Sequence, residues 1–392
     1  MSSGYTHIVI GAGAIGAATA YWLARTPGTR VLVLEQYELV NARNSSGDVS
    51  RIIRHAYHST AYTALTPAMF QSWAEVEKDA GLRLYLKTGG LDLATAEPAA
   101  LASLDGYRSA LAAQGIPYQD LSAKDIRRAW PQWSIGDDVT GMYQEDGGLI
   151  DIRASVAAHT SLAQARGVTF LPHTPVTGVV VQPGSVTVRT TAGDFHGGHL
   201  VAAAGSWLGT LMPDLGLNYR LTLSQEQVSY FSTPQLRDFT PDRFPIWIFH
   251  GEQDHYGFPV YGEPAVKIAR DMRGRFITSE ERVFEGDAAE AALLEGFLRR
   301  WLPGAVGPVW ANKTCVYDMP PDRDFVLDTV PGAPHVAVFN GAGHAGKFAS
   351  LVGRILGELV TDGTTAHPID AFSLRRPAIT DPDFIPLFHL HH

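Results

Sequence analysis

The run His7-Ile8-Val9-Ile10-Gly11-Ala12-Gly13-Ala14-Ile15-Gly16 constrains this chain most, because an apolar segment of β type passes directly into a glycine turn. Ala17-Ala18-Thr19-Ala20-Tyr21-Trp22-Leu23 follows with helical character, so the order reads strand, turn, helix. A second buried strand is predicted at Arg30-Val31-Leu32-Val33-Leu34. It ends at Glu35 and Gln36, about twenty residues past the glycines, where an acidic side chain accepts from a ribose hydroxyl. Gly11 permits the tight turn, Gly13 lets the backbone approach a pyrophosphate, and Gly16 allows close packing of helix on strand. Ala14 and Ile15 open the helix, whose free N–H groups and positive end meet the phosphates. This pattern predicts dinucleotide binding and leaves NAD and FAD both open.

A chain of 392 residues exceeds what one core usually organises, and its 45% hydrophobic content is enough to fill two. A formal net charge of −9 offers no clustered basic surface for nucleic acid or an anionic membrane, so neither partner is expected. The single cysteine, Cys315, cannot form an internal disulfide, and no CxxC pair suggests a metal site. The cytoplasm is the default expectation. The apolar stretch from Ile8 to Leu23 lacks a basic leading region and is broken by glycines, so it is not read as a signal peptide. No other window is long and apolar enough to span a bilayer. The ending Phe388-His389-Leu390-His391-His392 carries no weight in the fold reading.

A nicotinamide dehydrogenase is expected to continue in regular βα units, but here the pattern breaks into Gly47-Asp48-Val49-Ser50-Arg51-Ile52-Ile53-Arg54-His55-Ala56-Tyr57. That segment, the glycine motif with Glu35, the pair Cys315-x-Tyr317 and the late run Gly343-His344-Ala345-Gly346-Lys347-Phe348 stand in order along the chain. Together they resemble the monomeric sarcosine oxidase and N-methyltryptophan oxidase family, within the D-amino-acid-oxidase-like superfamily. The resemblance implies an α/β fold with a discontinuous Rossmann-like FAD-binding domain at 1–80, 148–217 and 320–392. It also implies an α+β substrate domain on a mixed or antiparallel sheet at 81–147 and 218–319. Local sequence agrees with both. Val168 to Leu171, Val179 to Val181, Val186 to Val188 and Leu200 to Gly205 read as short strands, the last ending in a small-residue turn. Val336 to Asn340, then Gly341-Ala342-Gly343 and the helical stretch from Phe348 to Leu359, give a second strand, glycine turn and helix. The proline- and aromatic-rich stretch from Gln225 to Tyr261 suggests twisted antiparallel strands around a substrate pocket.

The resemblance also assigns roles. Cys315 would bond through sulfur to the 8-methyl position of the flavin, making the FAD covalent. Arg54 and Lys347 match the clamp for the substrate carboxylate, Arg54 as a planar fork and Lys347 as a point charge. Lys267 aligns with the lysine placed over the flavin for oxygen activation, where a fixed cation would stabilise superoxide. Arg51 would lie beside the isoalloxazine, while Tyr256 and Tyr317 line the pocket. Ser50, Val176, Gly205, Gly343, His344 and Gly346 complete the cofactor contacts. Two positions depart from the family: Asp271 stands where a histidine is usual and Asp318 where a threonine is common, so one of them is expected to meet a polar or cationic substrate group.

The implied reaction is oxidation of a small amino acid bearing an N-substituent, with molecular oxygen as acceptor, by a monomeric enzyme acting on CH–NH. The imine formed would hydrolyse to an aldehyde or keto acid plus an amine, with hydrogen peroxide as co-product. Asp318-Met319-Pro320-Pro321-Asp322-Arg323-Asp324-Phe325 is also similar to deglycating fructosyl-amino-acid oxidases, which stay open beside cyclic imino-acid oxidation. A flavin dehydrogenase serving a partner protein would use oxygen poorly. A nicotinamide enzyme would be colourless, and a non-enzymatic homologue has no evident need of Arg54, Lys267, Cys315 and Lys347.

Overall fold

The computed structural model describes residues 4–388, so the histidines of the C-terminal ending lie outside the described residues. Period-two alternation in the first strand decides how its sheet is covered. In Tyr5–Ile10, Val9 points to one face, while Ile8 and Ile10 point to the other. All three are buried, so helices or strands must cover both sides.

The sheet has eight strands. Its centre is parallel: Tyr5–Ile10 lies between Gly193–Ala202 and Val31–Leu34, with Thr169–Leu171 beyond the latter. Ala333–Asn340 adds in parallel to Gly193–Ala202 and pairs antiparallel with Val326–Val330. The helices Ala14–Leu23, Thr60–Ala80, Ile152–Ala165 and Ala349–Asp362 share the core on the Val9 face. The antiparallel pair Val176–Gln182 and Ser185–Thr190 contributes Val179, Val186 and Val188 to the core on the opposite face.

A nine-stranded sheet forms the second layer of structure. Thr222–Phe231 runs antiparallel to Val309–Met319 along one edge and to Val266–Arg270 and Arg275–Ile277 along the other. The sheet continues through His255–Phe258 and Ile246–His250 to Gly90–Ala94, Thr140–Gln144 and Gln119–Ser122. The antiparallel expectation for Gln225 to Tyr261 therefore needs one amendment: Ile246–His250 pairs in parallel with Gly90–Ala94. The sheet is mixed. Its outer face is an aromatic core of Trp133, Phe239, Phe244, Trp247 and Phe249, closed by the helix Ala288–Trp301. A three-stranded sheet of Ser50–Ile53, Gly148–Asp151 and Tyr85–Lys87 completes the architecture. No helix among the described residues is long and apolar enough to cross a membrane.

Candidate cofactor and substrate site

One cavity of about 1160 Å³ runs from the first glycine turn to Lys347, and most of the residues singled out by sequence line it. At one end stand Gly11, Gly13, Ala14, Ile15, Glu35, Gln36, Val176 and Gly205. Gly11 has φ of +96°, and an added Cβ would lie 2.5 Å from the carbonyl oxygen of Ala203. Gly16 sits behind the turn, where a Cβ would come within 1.8 Å of the Gly11 carbonyl oxygen. The helix Ala14–Leu23 begins at Gly13, which offers no side-chain cap; its first residues Ala14 and Ile15 line the cavity, and the Ala14 N–H donates to Ser46 Oγ at 3.1 Å. The carboxylate of Glu35 is fixed by two backbone N–H groups, Ala12 to Oε2 at 2.9 Å and Tyr37 to Oε1 at 3.0 Å. Each oxygen keeps a lone pair. A helix start without a cap, a turn that excludes Cβ atoms and a rigid buried acid fit the diphosphate and ribose of a dinucleotide.

The middle of the cavity is built on the nine-stranded sheet. Lys313, Cys315 and Tyr317 alternate along Val309–Met319 and all line the cavity. Burial pushes the Cys315 thiol up to about 11, against the opposing pull of Arg51, so the sulfur carries its proton at neutral pH. Gly343, at φ of +82°, lies under the Tyr317 ring, where a Cβ would approach a ring carbon within 2.2 Å. Lys267 is opposite Tyr230 on one neighbouring strand and Phe258 on the other. Its Nζ donates to Asp48 Oδ2 at 2.5 Å, to the Ser50 carbonyl at 2.9 Å and to Ser50 Oγ at 3.2 Å. All three ammonium protons are therefore satisfied by protein. Burial lowers the Lys267 ammonium to about 8, and Asp48 opposes the fall. Burial alone would raise Asp48, but Lys267, Arg51 and the Tyr230 hydroxyl hold it well below the usual carboxylate range. Arg51 lines the cavity and donates to the Ser45 and Ser50 carbonyls, with Asp48 at 3.5 Å. Ser50 itself is buried behind the wall, serving Lys267 rather than lining the cavity.

At the far end Arg54 and Lys347 converge on Tyr57. Lys347 Nζ donates to the Tyr57 hydroxyl at 2.7 Å and to the His344 carbonyl at 3.3 Å, leaving one of its three protons for a ligand. Its backbone is anchored by Trp73 Nε1, which donates to the Lys347 carbonyl at 2.6 Å. Burial, reinforced by the Arg54 charge, lowers the Lys347 ammonium to about 7. Arg54, with its centre 5.9 Å from the Tyr57 ring and 4.8 Å from that of Tyr107, is ion-paired with Asp92 through Nη1 and donates from Nη2 to the Tyr107 hydroxyl at 3.3 Å. Its Nε is buried and has no partner. A buried guanidinium N–H left unpaired beside a cavity is suited to an oxygen of a bound anion. His344, Gly346 and Tyr256 also line this region.

The two acidic departures part company here. Asp318 lines the cavity, and its Oδ2 accepts from Asn340 Nδ2 at 2.9 Å and lies 3.5 Å from the Gly341 amide, so that oxygen helps hold the second glycine turn. Burial raises it to about 6. Asp271 also lines the cavity, and differs in its partners: it accepts from the Tyr317 hydroxyl at 3.4 Å and pairs with Arg323 Nη2 at 3.2 Å. Arg323 reduces the acidity that sequence alone suggests. Sequence reasoning gave no role to Asp48, Tyr57, Asp92, Tyr107, His250 or Arg323. Asp92 did leave a trace, as a lone acid in the apolar strand Gly90-Leu91-Asp92-Leu93-Ala94.

A parallel sheet with an open glycine turn, joined to a mixed sheet whose cationic and tyrosine side chains face the same cavity, defines a dinucleotide-dependent oxidoreductase. Residues 7–359 match the FAD dependent oxidoreductase family. Within it, the chain belongs to the family of monomeric sarcosine oxidases and N-methyltryptophan oxidases. It is 33% identical to a monomeric sarcosine oxidase of Streptomyces avermitilis, over 96% of this chain and 99% of that one. It is 29% identical to an N-methyl-L-tryptophan oxidase of Salmonella agona, over 95% and 99% of the two chains. Among solved structures, that of NikD, an unusual amino acid oxidase essential for nikkomycin biosynthesis, superposes with a TM-score of 0.83 at 26% identity, covering 99% of each chain.

Proposed function

We propose that this enzyme oxidises a small amino acid carrying an N-substituent, using FAD bound along the cavity and molecular oxygen as acceptor. The unpaired, buried Nε of Arg54 beside Lys347 carries this reading, because a substrate carboxylate would satisfy both cations at once. FAD, when bound, supplies the two-electron acceptor for the C–H bond next to the substrate nitrogen. The chain's own residues orient and enclose. Arg54 and Lys347 fix the carboxylate, Tyr57 holds Lys347, and the Tyr317 ring forms part of the cavity wall. The imine product hydrolyses to a carbonyl compound and an amine. The cofactor unit would be 1–80, 148–217 and 320–392, with Cys315 as covalent tether, in a cytoplasmic monomer.

Lys347 gives this reading a pH signature. Near pH 7 the ammonium is poised to lose its proton, and carboxylate binding favours the charged form. Affinity for a carboxylate without an amine, such as acetate, is expected to fall as pH rises through about 7. Calorimetric titration from pH 6 to 9 checks this, and Lys347→Met should flatten the slope. Equal slopes in both proteins would remove Lys347 from the clamp.

Lys267 is assigned to the oxygen reaction through its charge, since its protons are all engaged. Lys267→Met is expected to slow peroxide formation by about 10²–10³, the range for losing one charge-stabilising group, while turnover with an artificial dye persists. Should wild-type protein also prefer the dye strongly over oxygen, it would be a dehydrogenase for a protein acceptor. A second substrate reading has one observation in its favour. The Asp271–Arg323 pair presents acceptors and donors together on the cavity wall, as suits a polyhydroxylated N-substituent. Turnover of a fructosyl amino acid faster than its N-methyl counterpart would select it.

A further inference from the structure

Arg54 is held from behind by groups that the proposed chemistry does not use. Asp92 lies mid-strand in Gly90–Ala94, which is paired on both sides, with Ile246–His250 and with Thr140–Gln144. Alternation sends Leu91 and Leu93 into the aromatic core, so Asp92 projects from the opposite face. His250 does the same on the neighbouring strand, since Trp247 and Phe249 face that core. His250 Nε2 stands 3.5 Å from Asp92 Oδ1, and its Nδ1 is 3.2 Å from Asp254 Oδ2. The edge of Tyr107 packs on the His250 ring, with ring centres 5.1 Å apart. Arg54, Tyr107 and Asp254 line the cavity, whereas Asp92 and His250 lie behind it.

We infer that Asp92, backed by His250 and Asp254, is a positioning residue that turns the Nε–Nη2 edge of Arg54 toward the substrate carboxylate. This rests on the reading of Arg54 as a carboxylate ligand. An arginine side chain has many rotamers, and ordering it at the moment of binding lowers affinity. A carboxylate fixed on an interior strand and joined to Nη1 orders the guanidinium beforehand; Nη2 spends one of its two protons on the Tyr107 hydroxyl, which leaves the other and the Nε proton for a ligand. A carboxylate placed this deep requires compensation. Burial raises Asp92, but Arg54 and His250 outweigh it and keep the group ionised. Burial lowers His250, while Asp254 and Asp92 reverse that and bring it to about 9, so a His250 cation backs the Asp92 carboxylate at neutral pH.

The test measures acetate affinity by calorimetry together with KM and kcat for the best N-methyl substrate, in Asp92→Asn, His250→Gln and Arg54→Met. Asp92→Asn is expected to weaken acetate binding and raise KM by about tenfold each, with kcat within about threefold of wild type, because orientation of the carboxylate is lost rather than the chemistry. His250→Gln should move both in the same direction by a smaller factor. A folded Asp92→Asn protein that keeps wild-type acetate affinity and KM overturns the inference; where that variant does not fold, His250→Gln decides by the same two measurements. If Arg54→Met also leaves acetate affinity intact, the carboxylate reading itself has failed.

Discussion

Arg54→Met is expected to raise KM for the amino-acid substrate by a factor of roughly 30 to several thousand, the equivalent of about 2–5 kcal/mol for removing one partner of a buried charge contact. Arg54 is 6% exposed and its Nε finds no acceptor among the described residues. A substrate carboxylate would be that acceptor, and methionine, uncharged and without an N–H donor, cannot serve it. The loss should be specific to the acid, so the methyl ester of the same substrate should discriminate far less between wild type and variant. Stability should fall as well, by about 3–5 kcal/mol, since Asp92 would be left buried without its main counter-charge. Arg54→Lys restores charge without the fork and should lie between the two. Steady-state kinetics on acid and ester, with a thermal melt, separate these effects. An ester-to-acid preference unchanged by Arg54→Met would contradict the assignment.

Cys315→Ala should have an all-or-none effect on cofactor attachment. Cys315 shares its strand face with Tyr317 and lies on the cavity wall, close enough to Arg51 for that charge to oppose the rise of the thiol. It is the only cysteine in the chain, so no other thiol can substitute. Acid-precipitated wild-type protein should stay yellow. The variant should bind FAD reversibly through the glycine turn and release it into the supernatant on precipitation. A colourless wild-type pellet, or a yellow pellet from the variant, would overturn the tether.

What could be read from sequence follows how local each requirement is. The turn at Gly11 and Gly16 is dictated by contacts within a few residues, so glycine spacing reports it directly. Cys315, Lys267 and Lys347 carry no such local signature and were singled out by their places in a family pattern. The ion pairs behind the cavity were legible in neither way. Asp48 reaches Lys267 across 219 positions, and Asp92 meets His250 only because two distant strands pair in parallel. Nothing in either segment specifies that register. Asp318 shows a related difficulty: its type suggested a substrate contact and it does line the cavity, but the bond that its Oδ2 accepts from Asn340 could not be read from sequence.

The most direct test of the central claim is anaerobic mixing of the purified yellow protein with a panel of N-methyl, cyclic, glycated and primary amino acids, followed by admission of air. An N-substituted amino acid is expected to bleach the flavin absorbance, and air to restore it with stoichiometric hydrogen peroxide. Bleaching by primary amino acids alone, or by none of the panel, would contradict it.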